Sequence, residues 1–225
     1  MLKLRYLSHS TFILDDGIHR LIIDPFITGN PTSPVKVEDV TADFIVQTHA
    51  HGDHFNDAIT IARACNSLVI AVEELAVYIK ENDLKAHNMH IGGGYNFPFG
   101  RLKFTIAHHG SSAAGGRYMG NPAGVVIKMG GKTVYHTGDT ALFLDMKLIG
   151  ELDKIDIMLC PIGDNYTMGI EDAVKAVEFV SPGLVIPIHY NTFPVIVADP
   201  NEFKTKVEKA GKNCRVMDYG ETITF

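Results

Sequence analysis

Three histidines and an aspartate stand within six consecutive residues, at His49, His51, Asp53 and His54. They follow the apolar run 44–46, which is typical of a buried strand. Imidazole nitrogens and carboxylate oxygens are common metal ligands, and the loop after a strand is a usual place for them. His49 and His51 alternate, so both rings can point to one side of an extended backbone. The cluster therefore predicts metal binding rather than a solvated loop that happens to be rich in histidine.

Four more ligand-type side chains stand at the ends of other predicted strands: Asp24, His109, Asp139 and His189. The four ligands of the first loop are too many for a single open catalytic site that also takes ligands from elsewhere. A glycine between His51 and Asp53 permits a bend that aims Asp53 and its neighbour at a second position. We therefore predict two adjacent metal ions, completed by residues from the other segments.

The elements that must position these residues are short. Hairpins are predicted around the turn signals at 15–17 and 130–131, and the second half alternates strands with helices. This order predicts an α/β fold of two mixed sheets packed together with helices outside, in one domain over residues 1–225. Individual expectations include a helix over 56–65 capped by Asn56, a helix over 140–152, helices capped by Thr167 and by Asn201, a strand over 214–217, and a polar loop containing His87 and His90.

The composition is that of an ordinary globular domain, with 46% hydrophobic and 20% charged residues. A net charge of -6 argues against a surface that coats nucleic acid. No apolar run is long enough for a membrane span, and the start of the chain lacks the pattern of a signal peptide. Cys65, Cys160 and Cys214 are scattered, which favours free thiols in a reducing cytoplasm. We expect a cytoplasmic protein with a small-molecule substrate and without a membrane or nucleic-acid partner; a homo-oligomer stays open.

The order of the ligand-type motifs resembles the metallo-β-lactamase superfamily: H-x-H-x-D-H, then His109, then Gly-Asp-Thr around Asp139, then His189. More narrowly, the chain is similar to compact bacterial and archaeal metal-dependent hydrolases that are relatives of ascorbate-6-phosphate lactonases. The resemblance covers essentially the whole chain and implies a four-layer αββα sandwich with a two-metal site at one edge. The narrower resemblance rests on the segments 6–10, 24–26, 29–31, 135–140 and 167–169.

This resemblance implies a division of the ligands between two metals. His49, His51 and His109 would hold the first metal, Asp53, His54 and His189 the second, and Asp139 would bridge both. Nitrogen and carboxylate donors suit Zn²⁺ or Mn²⁺, with Fe²⁺ or Ni²⁺ as alternatives. No cysteine falls among these positions, which separates the chain from the β-lactamases that use a cysteine ligand.

The expected chemistry is hydrolysis of a small-molecule ester, lactone or phosphoester by a hydroxide that bridges the two metals. Asp53 is the candidate catalytic residue, because a carboxylate there can orient the hydroxide and move its proton. Two enzymatic alternatives are a phosphodiesterase or nuclease of the same fold and an iron-dependent oxidoreductase. The acidic balance disfavours the first, and a histidine at 51, where the di-iron proteins have glutamate, disfavours the second. A metal-stabilised binding protein is the non-catalytic alternative.

Two further positions are expected to support the ligands. Asp24 ends its own strand and would accept a hydrogen bond from a ligand imidazole. His108 competes with His109 for the ligand position. We favour His109 because of its place beside Gly110 and its register in the family, and expect His108 to be its neighbour.

Five other residues border the same predicted edge or its loops. His9 and His136 would contact substrate or the ligands, or serve as structural histidines. Asp164 and Asn191 are candidates to line the pocket. Arg117 is the candidate for binding an anionic group of a substrate.

Overall fold

The computed structural model describes residues 1–225 and divides the strands between two mixed β-sheets. The seven-stranded first sheet contains β1 (Lys3–Ser8), β2 (Thr11–Asp15), β3 (Arg20–Ile23), β4 (Phe44–Val46), β5 (Leu68–Val72), β6 (Ala86–Met89) and β13 (Thr222–Thr224), in the order β13-β1-β2-β3-β4-β5-β6. The six-stranded second sheet contains β7 (Gly94–Phe97), β8 (Gly100–Ile106), β9 (Ala123–Met129), β10 (Lys132–His136), β11 (Ile157–Pro161) and β12 (Leu184–Ile188), in the order β12-β11-β10-β9-β8-β7.

Six α-helices connect the strands. They are α1 (Gly52–Phe55), α2 (Ala58–Cys65), α3 (Glu73–Glu81), α4 (Met146–Asp153), α5 (Ile170–Val180) and α6 (Pro200–Lys209). Helices α2 and α3 cover the first sheet, and α4, α5 and α6 cover the second. None of the helices combines the length and the apolar character that crossing a membrane would need.

The period-two alternation of strand residues explains the layers. On β9, Val125 and Ile127 belong to the core that the two sheets share, whereas Val126 between them packs with residues of the outer helices. On β11, Leu159 faces the first sheet while Met158 and Cys160 on either side face the helices. Because both faces of these strands are buried, the strands are almost continuously apolar. The result is a four-layer arrangement of helices, sheet, sheet and helices, as the sequence predicts.

Several predicted elements differ from the observed ones. Helix α4 begins at Met146 rather than at Thr140, because the backbone of 140–141 is bonded elsewhere: Met168 N donates to Thr140 O and Ala141 N to His108 O. The loop predicted around His87 is wrong, since His87 lies in β6, paired in parallel with Ile70. Strands β6 and β7 are edge strands with polar sequences, so their alternation is weak.

The predicted helix caps are displaced by one or two residues. Gly169, not Thr167, precedes α5, and Asp199, not Asn201, caps α6 by accepting a hydrogen bond from the Asn201 backbone N–H at 2.8 Å. Asp57 precedes α2, while the Asn56 amide donates to Thr28 O. Residues 214–217 form no strand; Cys214 makes only an isolated bridge with Val185.

Candidate metal centre

The predicted ligands meet because their strands end at the same edge of the sandwich. Strands β3 and β4 are parallel, with Ile23 beside Val46, and deliver Asp24 and the 48–54 loop. In the second sheet β10, β11 and β12 are parallel to one another. Strand β8 is antiparallel to β9, which is antiparallel to β10, so β8 also ends at this edge. His109, Asp139 and His189 therefore follow strand ends that lie together.

The first donor group consists of His49, His51 and His109, whose ligand atoms all lie within 4.8 Å of one another. His51 Nδ1 is 3.1 Å from His49 Nε2 and 3.2 Å from His109 Nε2. A tetrahedral metal ion with bonds of about 2.0–2.1 Å holds its nitrogen ligands about 3.3 Å apart. The spacing of the three imidazoles therefore fits a shared cation.

The second donor group contains Asp53, His54 and His189, and also His9. Asp53 and His54 lie on the single turn of α1, so the bend predicted at Gly52 is a helical turn. Asp53 Oδ2 is 3.8 Å from His189 Nε2 and 3.2 Å from His9 Nε2. The sequence predicted the first three residues as one set of ligands and left the role of His9 open.

Asp139 lies between the two groups. Its Oδ1 is 3.3 Å from His54 Nε2, and its Oδ2 is 3.0 Å from His189 Nε2 and 3.6 Å from His109 Nε2. It is the carboxylate that reaches His109 of the first group as well as two residues of the second. This is the position that a bridging ligand requires.

Asp24 orients two of the imidazoles. Its Oδ2 accepts a hydrogen bond from His54 Nδ1 at 2.8 Å and another from the Thr48 hydroxyl. The Thr48 oxygen in turn lies 3.0 Å from His49 Nδ1 and accepts its N–H. Both histidines thus carry the proton on Nδ1 and turn Nε2 toward the other donors, as predicted for a residue supporting metal ligands.

Three residues of the site have a backbone φ in the left-handed region: His9 at 54°, Asp24 at 45° and His189 at 53°. This conformation is unfavourable for residues other than glycine. Such strain collects at functional sites, where the surrounding structure holds it in place. Gly138 has a φ of 64°, and a Cβ there would lie 2.5 Å from Ala123 O, so the turn that presents Asp139 requires glycine.

The electrostatics of the two groups differ. Burial lowers the pKa of His49, His51 and His109, so these imidazoles are neutral near pH 7. Burial opposes the charged form of His189 as well, but the Asp139 carboxylate outweighs it and raises the pKa of His189 to about 9. His54 follows the same pattern, with its pKa held well above the ordinary value by Asp139 and Asp24.

The carboxylates respond in the opposite direction. Burial tends to raise the pKa of Asp139, but His189 and His54 together hold that pKa well below its ordinary value. The neighbouring His189 and the hydrogen bond from His9 likewise keep the pKa of Asp53 low against burial. Both carboxylates are therefore ionised, which is the state that binds a cation.

Buried polar atoms without hydrogen-bond partners indicate whether a metal ion fits the site. His54 Nε2, Asp139 Oδ1 and His189 Nε2 are buried and have no hydrogen-bond partner of proper geometry. Unpaired buried polar atoms are costly and rare in folded proteins. Here they face one another at the junction of the two donor groups, so a cation satisfies all of them together.

The structure separates His109 from its neighbour His108. Thr140 accepts a hydrogen bond from the His108 backbone N–H at 2.9 Å, and His108 O accepts one from Ala141 N. These bonds fix the register of the loop, so the His108 ring lies outside, edge-on to Phe143, and His109 turns inward.

The other two histidines have different surroundings. His136 is buried, donates from Nε2 to Ser10 O at 2.9 Å and accepts at Nδ1 from Gly138 N–H at 3.0 Å. Both its nitrogens are occupied, so it is a structural histidine that supports the turn before Asp139. His9 instead bonds Asp53 through Nε2 and Thr192 through Nδ1. Burial and the neighbouring His189 lower the pKa of His9 to about 4, so it is neutral.

The three candidates for substrate contacts lie apart from the donors. The Arg117 guanidinium pairs with Glu81 at 2.9 Å and stacks over Tyr78, and it does not line the metal pocket. Asn191 closes its own loop by accepting from Ala198 N–H. Asp164 accepts from Asn165 N–H and lines a neighbouring groove.

A pocket of about 490 Å³ opens over the donors. Besides His51, Asp53, His109, Asp139 and His189, it is lined by Tyr166, Phe193 and Val195. Sequence reasoning missed these three residues, because they lie in loops where no periodicity marks the direction of a side chain. Their place shortly after the ends of β11 and β12 is the one signal that the sequence offers.

The chain is similar to known proteins along its whole length. The β-lactamase superfamily domain matches residues 19–190. A UPF0173 metal-dependent hydrolase from Carboxydothermus hydrogenoformans is 46% identical over 226 residues, covering 100% of each chain. A solved metallo hydrolase, Igni18, from the hyperthermophilic archaeon Ignicoccus hospitalis is 42% identical, with a TM-score of 0.93 over 100% of this chain and 98% of its own. An isothiocyanate hydrolase from Delia radicum gut bacteria is 22% identical, with a TM-score of 0.79 over 99% of each chain, which is a likeness of fold alone.

Proposed function

Because this chain belongs to the β-lactamase superfamily and is a metal-dependent hydrolase by its full-length relatives, we propose that it is a dinuclear hydrolase of a small-molecule ester, lactone or phosphoester. Zn²⁺ or Mn²⁺ is the proposed metal, with Fe²⁺ and Ni²⁺ as alternatives, because the donor set is imidazole and carboxylate without thiolate.

The position of Asp139 carries the dinuclear proposal. One of its oxygens is 3.0 Å from His189 Nε2 and 3.6 Å from His109 Nε2, so the same carboxylate serves both donor groups. A single ion would need only one of these groups. Three imidazoles on one side, and two imidazoles with Asp53 on the other, give two sets of ordinary size for catalytic metals.

Two divalent ions held by the two donor groups would polarise the scissile group and lower the pKa of water, and so would supply a nucleophile near neutral pH. The chain's own contribution to proton transfer comes from Asp53. Both Asp53 and Asp139 line the pocket, but the side chain of Asp53 is 25% exposed and that of Asp139 only 2%, so Asp53 is the carboxylate more accessible to water. His9 donates to Asp53 Oδ2 at 3.2 Å and fixes which carboxylate oxygen faces the pocket. Asp53 is therefore the proposed proton acceptor.

Metal counting combined with turnover tests the proposal. Purified protein would be stripped and reloaded with Zn²⁺, Mn²⁺, Fe²⁺ or Ni²⁺, analysed for metal content, and assayed on esters, lactones and phosphoesters. We expect two ions per chain. Asp53→Asn should lower turnover by about 100-fold or more while the protein stays folded.

The matched control is His87→Ala on strand β6, away from the pocket, which should leave the rate unchanged. A single ion per chain in fully active protein would overturn the dinuclear assignment. Absence of turnover with every metal would overturn the hydrolase and favour a metal-stabilised binding protein.

A further inference from the structure

We propose that Tyr166, Phe193 and Val195 form an apolar subsite beside the metal centre, and that it selects uncharged esters or lactones with a short apolar chain. The three side chains line the same pocket as the donors His51, Asp53, His109, Asp139 and His189. Apolar side chains left exposed together at a pocket are uncommon unless they bind something. The subsite rests on the proposed hydrolase function and adds to it the class of substrate.

Phe193 is a fixed wall of this subsite. Its ring lies 6.1 Å from the ring of Phe26 and 5.6 Å from that of His9, centroid to centroid, so one face is packed against the protein. His9 in turn contacts Asp53. His9 thus contacts both Phe193 and the proposed proton acceptor Asp53. An apolar chain bound against Phe193 would therefore lie next to the reacting atoms.

The loop that carries Val195 is closed by its own hydrogen bonds. Asn191 donates its backbone N–H to Ile196 O at 2.8 Å and accepts from Ala198 N–H at 2.9 Å. Ile196 is fully buried, so the loop has a defined inner side. The two flanking valines are exposed, Val195 at 54% and Val197 at 73%, but they line different depressions: Val195 the metal pocket and Val197 the neighbouring groove. Val195 is therefore presented to the pocket by a preformed loop.

Tyr166 completes the rim from the loop after β11. Its side chain is 55% exposed, and its hydroxyl makes no hydrogen bond within the protein. Its backbone N–H donates to Asp164 O within the turn at 164–168, which is closed by Asp164 N–H donating to Met168 O. The ring offers apolar area, and the free hydroxyl can bond a neutral polar group of a substrate.

Apart from the proposed metal ions, the chain offers no positive charge to an anionic group of a substrate. The pocket is lined by neither lysine nor arginine, the residues that usually bind phosphate or carboxylate groups. The groove that adjoins it across the 191–198 loop is lined by Asp164, Glu171, Asp172, Asp199 and Glu202. Lys206 pairs with two of these carboxylates but leaves the others. An anion approaching from this side meets negative charge, whereas a neutral apolar chain does not.

The test compares three substrates of the Zn²⁺- or Mn²⁺-loaded protein: p-nitrophenyl acetate, p-nitrophenyl butyrate, and the mono-p-nitrophenyl ester of succinate, whose acyl chain ends in a carboxylate. Each buried methylene favours binding by about fourfold, so the two added methylenes should raise kcat/KM by about 16-fold from acetate to butyrate. The succinate ester should be the poorest of the three. Val195→Ala and Phe193→Leu should each reduce the butyrate preference by about threefold.

Val197→Ala is the matched control, because it removes the same atoms from the same loop on the side of the other groove. It should leave the ratio of butyrate to acetate unchanged. A flat chain-length profile in active protein, preference for the succinate ester, or equal effects of the changes at 195 and 197 would overturn the subsite while leaving the hydrolase intact.

A binding measurement separates this result from the proposed function. Saturation-transfer NMR on metal-free protein should show hexanamide bound more strongly than acetamide, with the difference lost in Val195→Ala and kept in Val197→Ala. If this selective binding were seen without turnover of any ester, lactone or phosphoester, the result would overturn the hydrolase and support the subsite. Equal signals from both amides would overturn the subsite whatever the activity.

Discussion

Asp24 accepts a hydrogen bond from Nδ1 of His54 at 2.8 Å, and neither side chain reaches solvent. Through the Thr48 hydroxyl, the same carboxylate also determines the tautomer of His49. His54 belongs to the second donor group and His49 to the first. One buried aspartate therefore orients an imidazole in each half of the site, although it is not itself among the proposed ligands.

Asp24→Asn should weaken metal binding by about 10–100-fold, the usual effect of losing such a supporting residue. An amide can accept at its oxygen only, whereas Asp24 accepts from the Thr48 backbone N–H at Oδ1 and from both the Thr48 hydroxyl and His54 at Oδ2. In the variant, either the backbone N–H or the two side-chain donors therefore face the NH₂ group and lose their acceptor. Chelator competition measures the affinity, and circular dichroism checks the fold. Asp57→Asn is the control, since Asp57 is a buried aspartate that accepts only from the backbone of Ile27 and Thr28. Equal affinity in wild-type protein and the Asp24 variant would contradict the orienting role.

The His109 ring points into the site and the His108 ring points away from it, so substitutions at these two positions should affect metal content differently. His109→Ala removes a nitrogen that faces both His51 and Asp139, so the loaded protein should bind one ion fewer per chain. His108→Ala removes an exposed ring that contacts Phe143, so metal content should be unchanged. Elemental analysis after dialysis measures both. Loss of metal from the His108 variant alone would reverse the assignment.

Gly138→Ala should destabilise the fold and displace Asp139. The added Cβ would lie 2.5 Å from Ala123 O, and the φ of 64° is itself unfavourable for alanine. We expect a loss of about 2–3 kcal/mol in the free energy of unfolding, measured by urea denaturation. Gly131→Ala is the control, because its φ is 79° and nothing lies within 4 Å of the new atom. Equal losses in the two variants would mean that the close approach at 138 has no effect.

Much of this site follows from sequence, for a physical reason. The strands that precede Asp24, His49 and His189 are apolar, and parallel strands end at one edge, so the convergence of the ligands could be predicted and is observed. The αββα fold and the superfamily are confirmed by the full-length relatives. The division of the ligands between two metals stays a prediction, which the geometry supports.

What sequence could not supply depends on loops and tertiary contacts. Thr48 stands beside His49 in the sequence, but its part in linking His49 to Asp24 is visible only once β3 lies next to β4. The delayed start of α4 has the same origin, since Thr140 bonds with the 108 and 168 loops instead of opening a helix. Arg117 is the clearest error, because its pairing with Glu81 on a distant helix has no local signal.

Asp153, the last residue of α4, should stabilise the fold only above acidic pH. Burial would raise the pKa of this carboxyl, but Lys103 at 3.0 Å and Lys128 at 3.1 Å lower it below the ordinary value. A carboxyl whose pKa is depressed on folding contributes stability above its unfolded pKa of about 3.9, and loses it as the pH falls through the folded value. Because Lys128 is half exposed, we expect Asp153→Asn to cost only about 1 kcal/mol at pH 7.

Urea denaturation of metal-free wild-type and Asp153→Asn protein at pH 7, 5 and 3 measures this difference. It should be constant between the two higher values and shrink toward pH 3. Glu151→Gln is a control with the same change of charge, since Glu151 is exposed and its carboxylate lies 3.9 Å from Lys147 on the same helix. A difference that grows as the pH falls would contradict the sign of the pKa shift.

Removal of metal should lower the thermal stability of the protein, because it returns buried donors to an unsatisfied state. His54 Nε2, Asp139 Oδ1 and His189 Nε2 have no hydrogen-bond partner of proper geometry within the protein, and both carboxylates of the site carry charge at neutral pH. A ligand that binds only the folded state adds about 2.7 kcal/mol at 100 times its Kd. Calorimetry should therefore show a Tm several degrees higher with Zn²⁺ or Mn²⁺ than after chelation.

Mg²⁺ should have a much smaller effect, because it prefers oxygen ligands in octahedral geometry and the site offers mainly nitrogen. His108→Ala should show the full increase and Asp24→Asn a reduced one. The same Tm with and without Zn²⁺ or Mn²⁺ would mean that the converging donors do not form a metal site.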